Sequence, residues 1–190
     1  GTTNSEATLV HNKTPYEGDY EHDYESNDFY DYVEYGNSNY TTSKYIQRSV
    51  TFLKAQKFYV VTDYAIPTDD SPGVNNLFAQ HWHMFPESGM NNNETLQVRS
   101  NFPDVNVKVV PVEYEEIDEL EYVDTQYSPG SNTHLKSKKA VYLKTHDGAG
   151  RFTTVIIPMN TGEDFDVETS IIETALDKDL VNAAYFRITN

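Results

Sequence analysis

Two short runs of β-branched and aromatic residues, Val50, Phe52 and Leu53 and then Phe58, Tyr59, Val60 and Val61, flank the polar segment 54–57. This spacing constrains the fold more than any other feature of the chain. Apolar side chains recurring at every second residue bury one face of a strand, and a short polar segment between two such runs closes a hairpin. Residues 67–73 then concentrate Pro, Asp, Ser and Gly, and the alternation resumes at Leu77 to end in His81-Trp82-His83.

The same pattern predicts strands at 7–10, 29–35, 95–99, 105–112, 139–145 and 152–158. Residues 167–172 and 182–188 read as two more strands, or as a helical turn and a strand. Residues 36–39, 88–94 and 127–132 read as turns or loops, and 146–150 reads as the turn of a hairpin joining 139–145 to 152–158. Two stretches resist the pattern. Residues 17–31 read as an acidic loop, with Glu17, Asp19, Glu21, Asp23 and Asp28 as weak oxygen ligands for calcium. Residues 113–124 carry seven acids and no base, and read as a solvated face or as a helical turn or two on Tyr114, Ile117 and Leu120. Many short strands with regular turn signals and almost no helical period predict an all-β fold, an antiparallel two-sheet sandwich spanning 1–190 as one domain.

Charge narrows the function. Thirty acidic against fourteen basic residues give a formal charge of −16, so no basic footprint exists for nucleic acid or an anionic membrane. No apolar run approaches the roughly 18 residues of a membrane-spanning helix. Cysteine is absent, which excludes disulfides, thiolate catalysis and cysteine-held zinc. Fifteen Tyr and nine Phe supply large apolar areas with a polar tip, suited to a sheet that is packed on one face and wet on the other.

Several residues stand out as candidates for binding. His81 and His83 lie two apart on a strand, so their imidazoles share a face while Trp82 takes the other. That spacing suits a metal, a ligand or packing, but no third zinc ligand can be assigned. Arg48 is expected either to pair with Asp63 across the hairpin or to clamp a carboxylate. Lys136, Lys138, Lys139, Lys144 and Arg151, with His134 and His146, form the one basic concentration, although Lys138 and Lys139 point to opposite faces. Tyr45, Tyr59, Tyr64 and Trp82 offer rings for stacking on sugars or for the core.

The runs 47–67 and 139–160, with His81-Trp82-His83-Met84-Phe85-Pro86 between them, resemble the C-terminal β-sandwich domain of heparinase II/III-like polysaccharide lyases. The resemblance extends over roughly residues 5–190 and rests on four short motifs in the right order. It implies an N-terminal (α/α) toroid in a longer parent chain and β-elimination on uronic-acid polysaccharides such as glycosaminoglycans. There a base removes the proton α to the uronate carboxyl and the glycosidic oxygen leaves. It also implies a bacterial secreted, periplasmic or cell-envelope setting.

In such lyases the sandwich contributes a catalytic histidine from a strand near its start and, in several members, a zinc site of His and Asp. Here Glu6 and Ala7 stand where histidine and asparagine are expected, with His11 in the next turn. A zinc-site histidine is missing near Asn39 and Tyr40, leaving Asp19 or Asp23 alone. The expectation is therefore a domain with no catalytic residue and no confidently assigned metal. Its substrate contacts would come from His81, His83, Trp82, Arg48, Tyr45, Lys136 and Lys138, completing a cleft with the toroid. The alternatives are a free-standing carbohydrate-binding or structural sandwich, and an enzyme complete within this domain.

Overall fold

The computed structural model describes residues 5–11, 21–37, 43–84, 90–92, 94–100, 104–130, 133–173 and 182–189. Fourteen antiparallel strands are present among them: β1 Ser5–His11, β2 Glu21–Ser26, β3 Tyr30–Asn37, β4 Ser43–Leu53, β5 Phe58–Pro67, β6 Asn75–Met84, β7 Met90–Asn92, β8 Gln97–Arg99, β9 Val105–Pro111, β10 Glu119–Gly130, β11 Thr133–Asp147, β12 Gly150–Asn160, β13 Asp166–Glu173 and β14 Asn182–Thr189. One 3₁₀ turn, Tyr114–Glu116, is the only helical element in the described residues. The all-β antiparallel sandwich expected from the sequence is the observed fold.

The central layer is an eight-stranded sheet in the order β2-β3-β4-β5-β12-β9-β8-β7, with three-stranded sheets β10-β11-β6 and β1-β14-β13 beside it. Alternation along the central strands sends neighbouring residues to opposite layers. On β9 and β12, Val109 and Phe152 join Phe78, Met84, Ala140 and Tyr142 of β6 and β11. Val110, Val155 and Ile157 instead join Phe58, Val60, Val167 and Ile188, beneath the β13 and β14 sheet. Each fully buried side chain of this size contributes about 1.5–3 kcal/mol relative to exposure. These two clusters therefore hold the layers together.

The β4–β5 hairpin forms as its sequence requires. Val50 faces Val61, Phe52 faces Tyr59, and Lys57 closes the turn in the left-handed region at φ 60°, its N–H donating to the Leu53 carbonyl.

Several expectations need correction. Within the turns or loops expected at 36–39, 88–94 and 127–132, β3 runs on to Asn37, Met90–Asn92 is β7 paired with β8, and β10 runs on to Gly130. The acidic segment 17–31 is not a loop where it is described: Glu21–Ser26 is β2, paired with β3 through a turn in which the Asn27 side chain accepts the N–H groups of Phe29 and Tyr30. Residues 113–124 hold only the single 3₁₀ turn before β10 begins at Glu119. The strands flanking 146–150 do not form a hairpin, because β11 pairs with β10 and β6 whereas β12 is inserted between β5 and β9. Gly148, at φ 77°, lies in a crossover between layers.

Candidate functional site

Arg48 lies in the middle of β4, directly opposite Asp63 of β5. Its Nε and Nη2 donate to the two carboxylate oxygens of Asp63 at 2.5 and 2.6 Å, the side-on geometry that matches a guanidinium to a carboxylate. The ion pair expected across the hairpin is present. The Asp63 carboxylate also holds the guanidinium pKa above its ordinary value.

Asp63 is held from the other layer as well. The amide of Gln80 on β6, itself buried, donates to Asp63 at 2.9 Å and accepts from the Trp82 indole N–H at 2.9 Å and the Thr154 hydroxyl at 2.8 Å. The guanidinium carbon of Arg48 lies 5.4 Å from the centre of the Trp82 ring, in cation–π range. Strands β4, β5, β6 and β12 are thus joined by one closed polar network.

This network forms the floor of a cleft of about 420 Å³ between the central sheet and β6. Tyr35, Arg48, Asp63, Tyr64 and Phe152 line one wall, and Phe78, Gln80, His81 and His83 line the other. Half of the Arg48 side chain, 49%, is open to solvent.

The side chains gathered here offer a fixed guanidinium, imidazoles and aromatic rings to a ligand. Asp63 accepts three hydrogen bonds, two from Arg48 and one from Gln80. His81 is neutral near pH 7, because partial burial, Lys139 and His83 all lower its pKa. Its Nδ1 lies 3.0 Å from the Lys139 ammonium, which can only donate. The remaining proton of a neutral His81 must then sit on Nε2, making that atom a donor too. Among the described residues no group of three His, Asp or Glu side chains converges as a metal site.

The other predicted residues fall elsewhere. Tyr45 is buried, its ring lying over Gly36 and its hydroxyl donating to Gln47 at 3.2 Å, so it presents no face to a sugar. Trp82 points inward to Arg48 and Gln80 rather than outward. Lys138 lies 3.9 Å from Asp124, Lys136 is exposed opposite Gln126, and neither lines the cleft. The basic concentration read from the sequence is dispersed. Lys144 is buried against Glu116 and Glu113, and Arg151 donates to Glu113 at 2.5 Å. Glu6 and Ala7 lie on β1, opposite Arg187 and Phe186 of β14, in the sheet on the far side of the central layer from the cleft. Asp19, Asn39 and Tyr40 lie outside the described residues.

The sequence reading missed Gln80 as part of this site and named Lys139 only within the basic concentration. Gln80 alternates with Phe78 and Trp82, so a polar residue within an inward-facing apolar row was the available signal.

Solved structures decide the fold. Heparan sulfate lyase HepC from Pedobacter heparinus aligns with a TM-score of 0.67 at 21% identity, covering 82% of this chain and 24% of that one. The fold is that of a heparinase III portion. A second heparinase III gene product gives a TM-score of 0.67 at 15% identity over 85% of this chain, and a further heparinase III gives 0.64 at 13% over 84%. The chain spans about a quarter of the length of these heparinase structures. No family model and no curated protein matches the sequence. On the heparinase III-like scaffold the Arg48 cleft lies between the central sheet and β6, and no helix of the described residues is long and apolar enough to cross a membrane.

Proposed function

We propose that this chain is the non-catalytic sandwich portion of a polysaccharide lyase that cleaves uronic-acid glycans by β-elimination. It binds an acidic glycan and works with a toroid that supplies the proton-transfer groups. The observation that carries this reading is the Arg48 cleft. Its guanidinium is fixed by Asp63 and Trp82 yet half open, its lip carries donor groups, and its one carboxylate is fully engaged. A site built in this way orients a ligand and leaves the bond-breaking to other groups. The likeness in fold to heparan sulfate lyase supports the glycan class, and a secreted or periplasmic setting accompanies the proposal.

The test is to incubate the chain alone with heparin, heparan sulfate and alginate, following the ultraviolet absorbance of the unsaturated uronate product and, separately, binding by calorimetry. Binding without product is expected, with Arg48→Ala weakening it about tenfold, the range for loss of a charged hydrogen-bonding group. Product formation by the chain alone would overturn the reading.

A free-standing carbohydrate-binding module is the second reading. It is favoured by Tyr35 and Tyr59, which are 50% and 38% exposed on the cleft face of the central sheet. Tight binding of a neutral glycan such as xylan, with none of a uronate polymer, would select it.

A further inference from the structure

Lys139 differs from nearly every other described cation of this acidic chain. Lys44, Arg48, Lys54, Arg99, Lys108, Lys138, Lys144, Arg151 and Arg187 each lie within ion-pair distance of a carboxylate. Lys139 instead contacts an imidazole, that of His81. It sits directly opposite His83 on β6 and reaches diagonally to His81. These three side chains share the outer face of the β10-β11-β6 sheet, since Trp82 and Ala140 take the inner one. The acids on that outer face of β10 are Glu119 and Glu121, opposite Leu143 and Val141 of β11. Each is two strand spacings, about 10 Å, from β6, and Glu121 is the diagonal neighbour of Lys139 across the β10–β11 pair.

We propose that Lys139, His81 and His83 form an oxyanion subsite for a sulfate ester or uronate carboxylate of an acidic glycan. This rests on the function proposed above and extends it from the cleft across its His81–His83 lip. The chemistry follows from donor count. Lys139 has no acceptor role, and its donation to Nδ1 turns Nε2–H of His81 outward as a second donor. His83 adds a third nitrogen on the same face. In a chain of charge −16, three donor-bearing nitrogens with no described carboxylate within ion-pair distance form a local site for an anion. An anion seated there stabilises the imidazolium, so it raises the His81 pKa that partial burial, Lys139 and His83 now hold down. Binding accordingly strengthens as pH falls through the histidine range, about 6.5.

The experiment follows the His81 and His83 ring resonances by NMR against pH, with and without inorganic sulfate. It is repeated with a heparin oligosaccharide and with an unsulfated uronate oligosaccharide from hyaluronan. Sulfate is expected to raise the His81 pKa. Lys139→Met, an exposed-face change that leaves the thermal midpoint unchanged, is expected to weaken sulfate binding about tenfold. A preference for the heparin fragment assigns the anion as a sulfate ester, and equal binding of the two fragments assigns it as a carboxylate. An unmoved His81 titration in saturating sulfate overturns the subsite, as does unchanged affinity in Lys139→Met. Oligosaccharides that perturb the Arg48 cleft but not His81 also overturn it and leave the functional reading standing. Sulfate binding without any oligosaccharide binding upholds the anion site and overturns the glycan reading.

Discussion

The ring of Phe78 lies flat over the backbone of Gly150, so close that a Cβ on Gly150 would come within 2.5 Å of the ring carbons. A strand of one layer and the first residue of a strand in another are thereby in direct contact, at the edge of the Arg48 cleft. Gly150→Ala should overpack this contact and cost about 1–3 kcal/mol. Chemical denaturation measures it, and Phe78→Leu in the same background should recover part of the loss. A fully stable Gly150→Ala single variant would contradict the packing.

Lys144 is buried among Glu113, Glu116 and the carbonyl of Arg151. Its removal leaves the buried Glu113 with Arg151 as its one remaining cation among the described residues. Lys144→Met should therefore cost about 3–5 kcal/mol, and adding Glu113→Gln should restore part of it by removing the uncompensated charge. Urea unfolding of the two variants, read by near-ultraviolet circular dichroism, tests the order.

Within the Arg48–Asp63–Gln80 network the two ends are unequal. Arg48 keeps half its surface in water, so Arg48→Ala should cost no more than about 1 kcal/mol. Asp63→Ala strands the amide of the buried Gln80 and should cost about 1–3 kcal/mol. Equal destabilisation by the two variants would show that Gln80 finds another acceptor.

Acid should unfold the protein in a defined window. Lys54 and then Ser26 hold the Asp31 carboxyl below its ordinary pKa, Lys44 does the same for Asp70, and the Asn160 backbone N–H does it for Glu163. A carboxylate whose folded pKa is depressed contributes stability above its unfolded value, and that contribution is lost as pH falls through the folded value. Thermal midpoints should therefore hold down to about pH 4 and fall below it. Lys54→Met should move the Asp31 titration, followed by NMR, upward.

His81 works in the same sense at higher pH. Its depressed pKa means that the unfolded chain binds the proton more readily, so its contribution is present above about 6.5 and fades as pH falls through the folded value. His81→Gln should flatten that part of the stability profile. An unchanged slope between pH 5 and 7, about the range histidine titrates, would contradict it.

The hairpin of β4 and β5, the placing of Trp82 on the face opposite His81 and His83, and the Arg48–Asp63 pair were all legible in the sequence, because each depends on period-two alternation and local register. What was hidden depends on pairing at a distance. Residues 21–26 alternate acids with His22 and Tyr24, a pattern too polar to signal a strand, although Asn27 and Asp28 mark the turn that creates one. Lys139 and Lys144 lie on one strand, yet its opposite faces send one to an imidazole and the other into a buried acidic cluster. Tyr45 had the composition of a stacking platform, but Gly36 leaves room for its ring to be buried.

The crossover at 147–150 also sets an order in time. The β3, β4 and β5 strands follow one another closely along the chain, whereas β6 ends at Met84 and its partner β11 does not begin until Thr133. A chain emerging from the ribosome can assemble the first three early, while β6 waits with both edges unpaired until β11 arrives. The strand bearing His81 and His83 thus stays an open edge longer than the hairpin opposite it, and that interval is when this protein is most exposed to self-association.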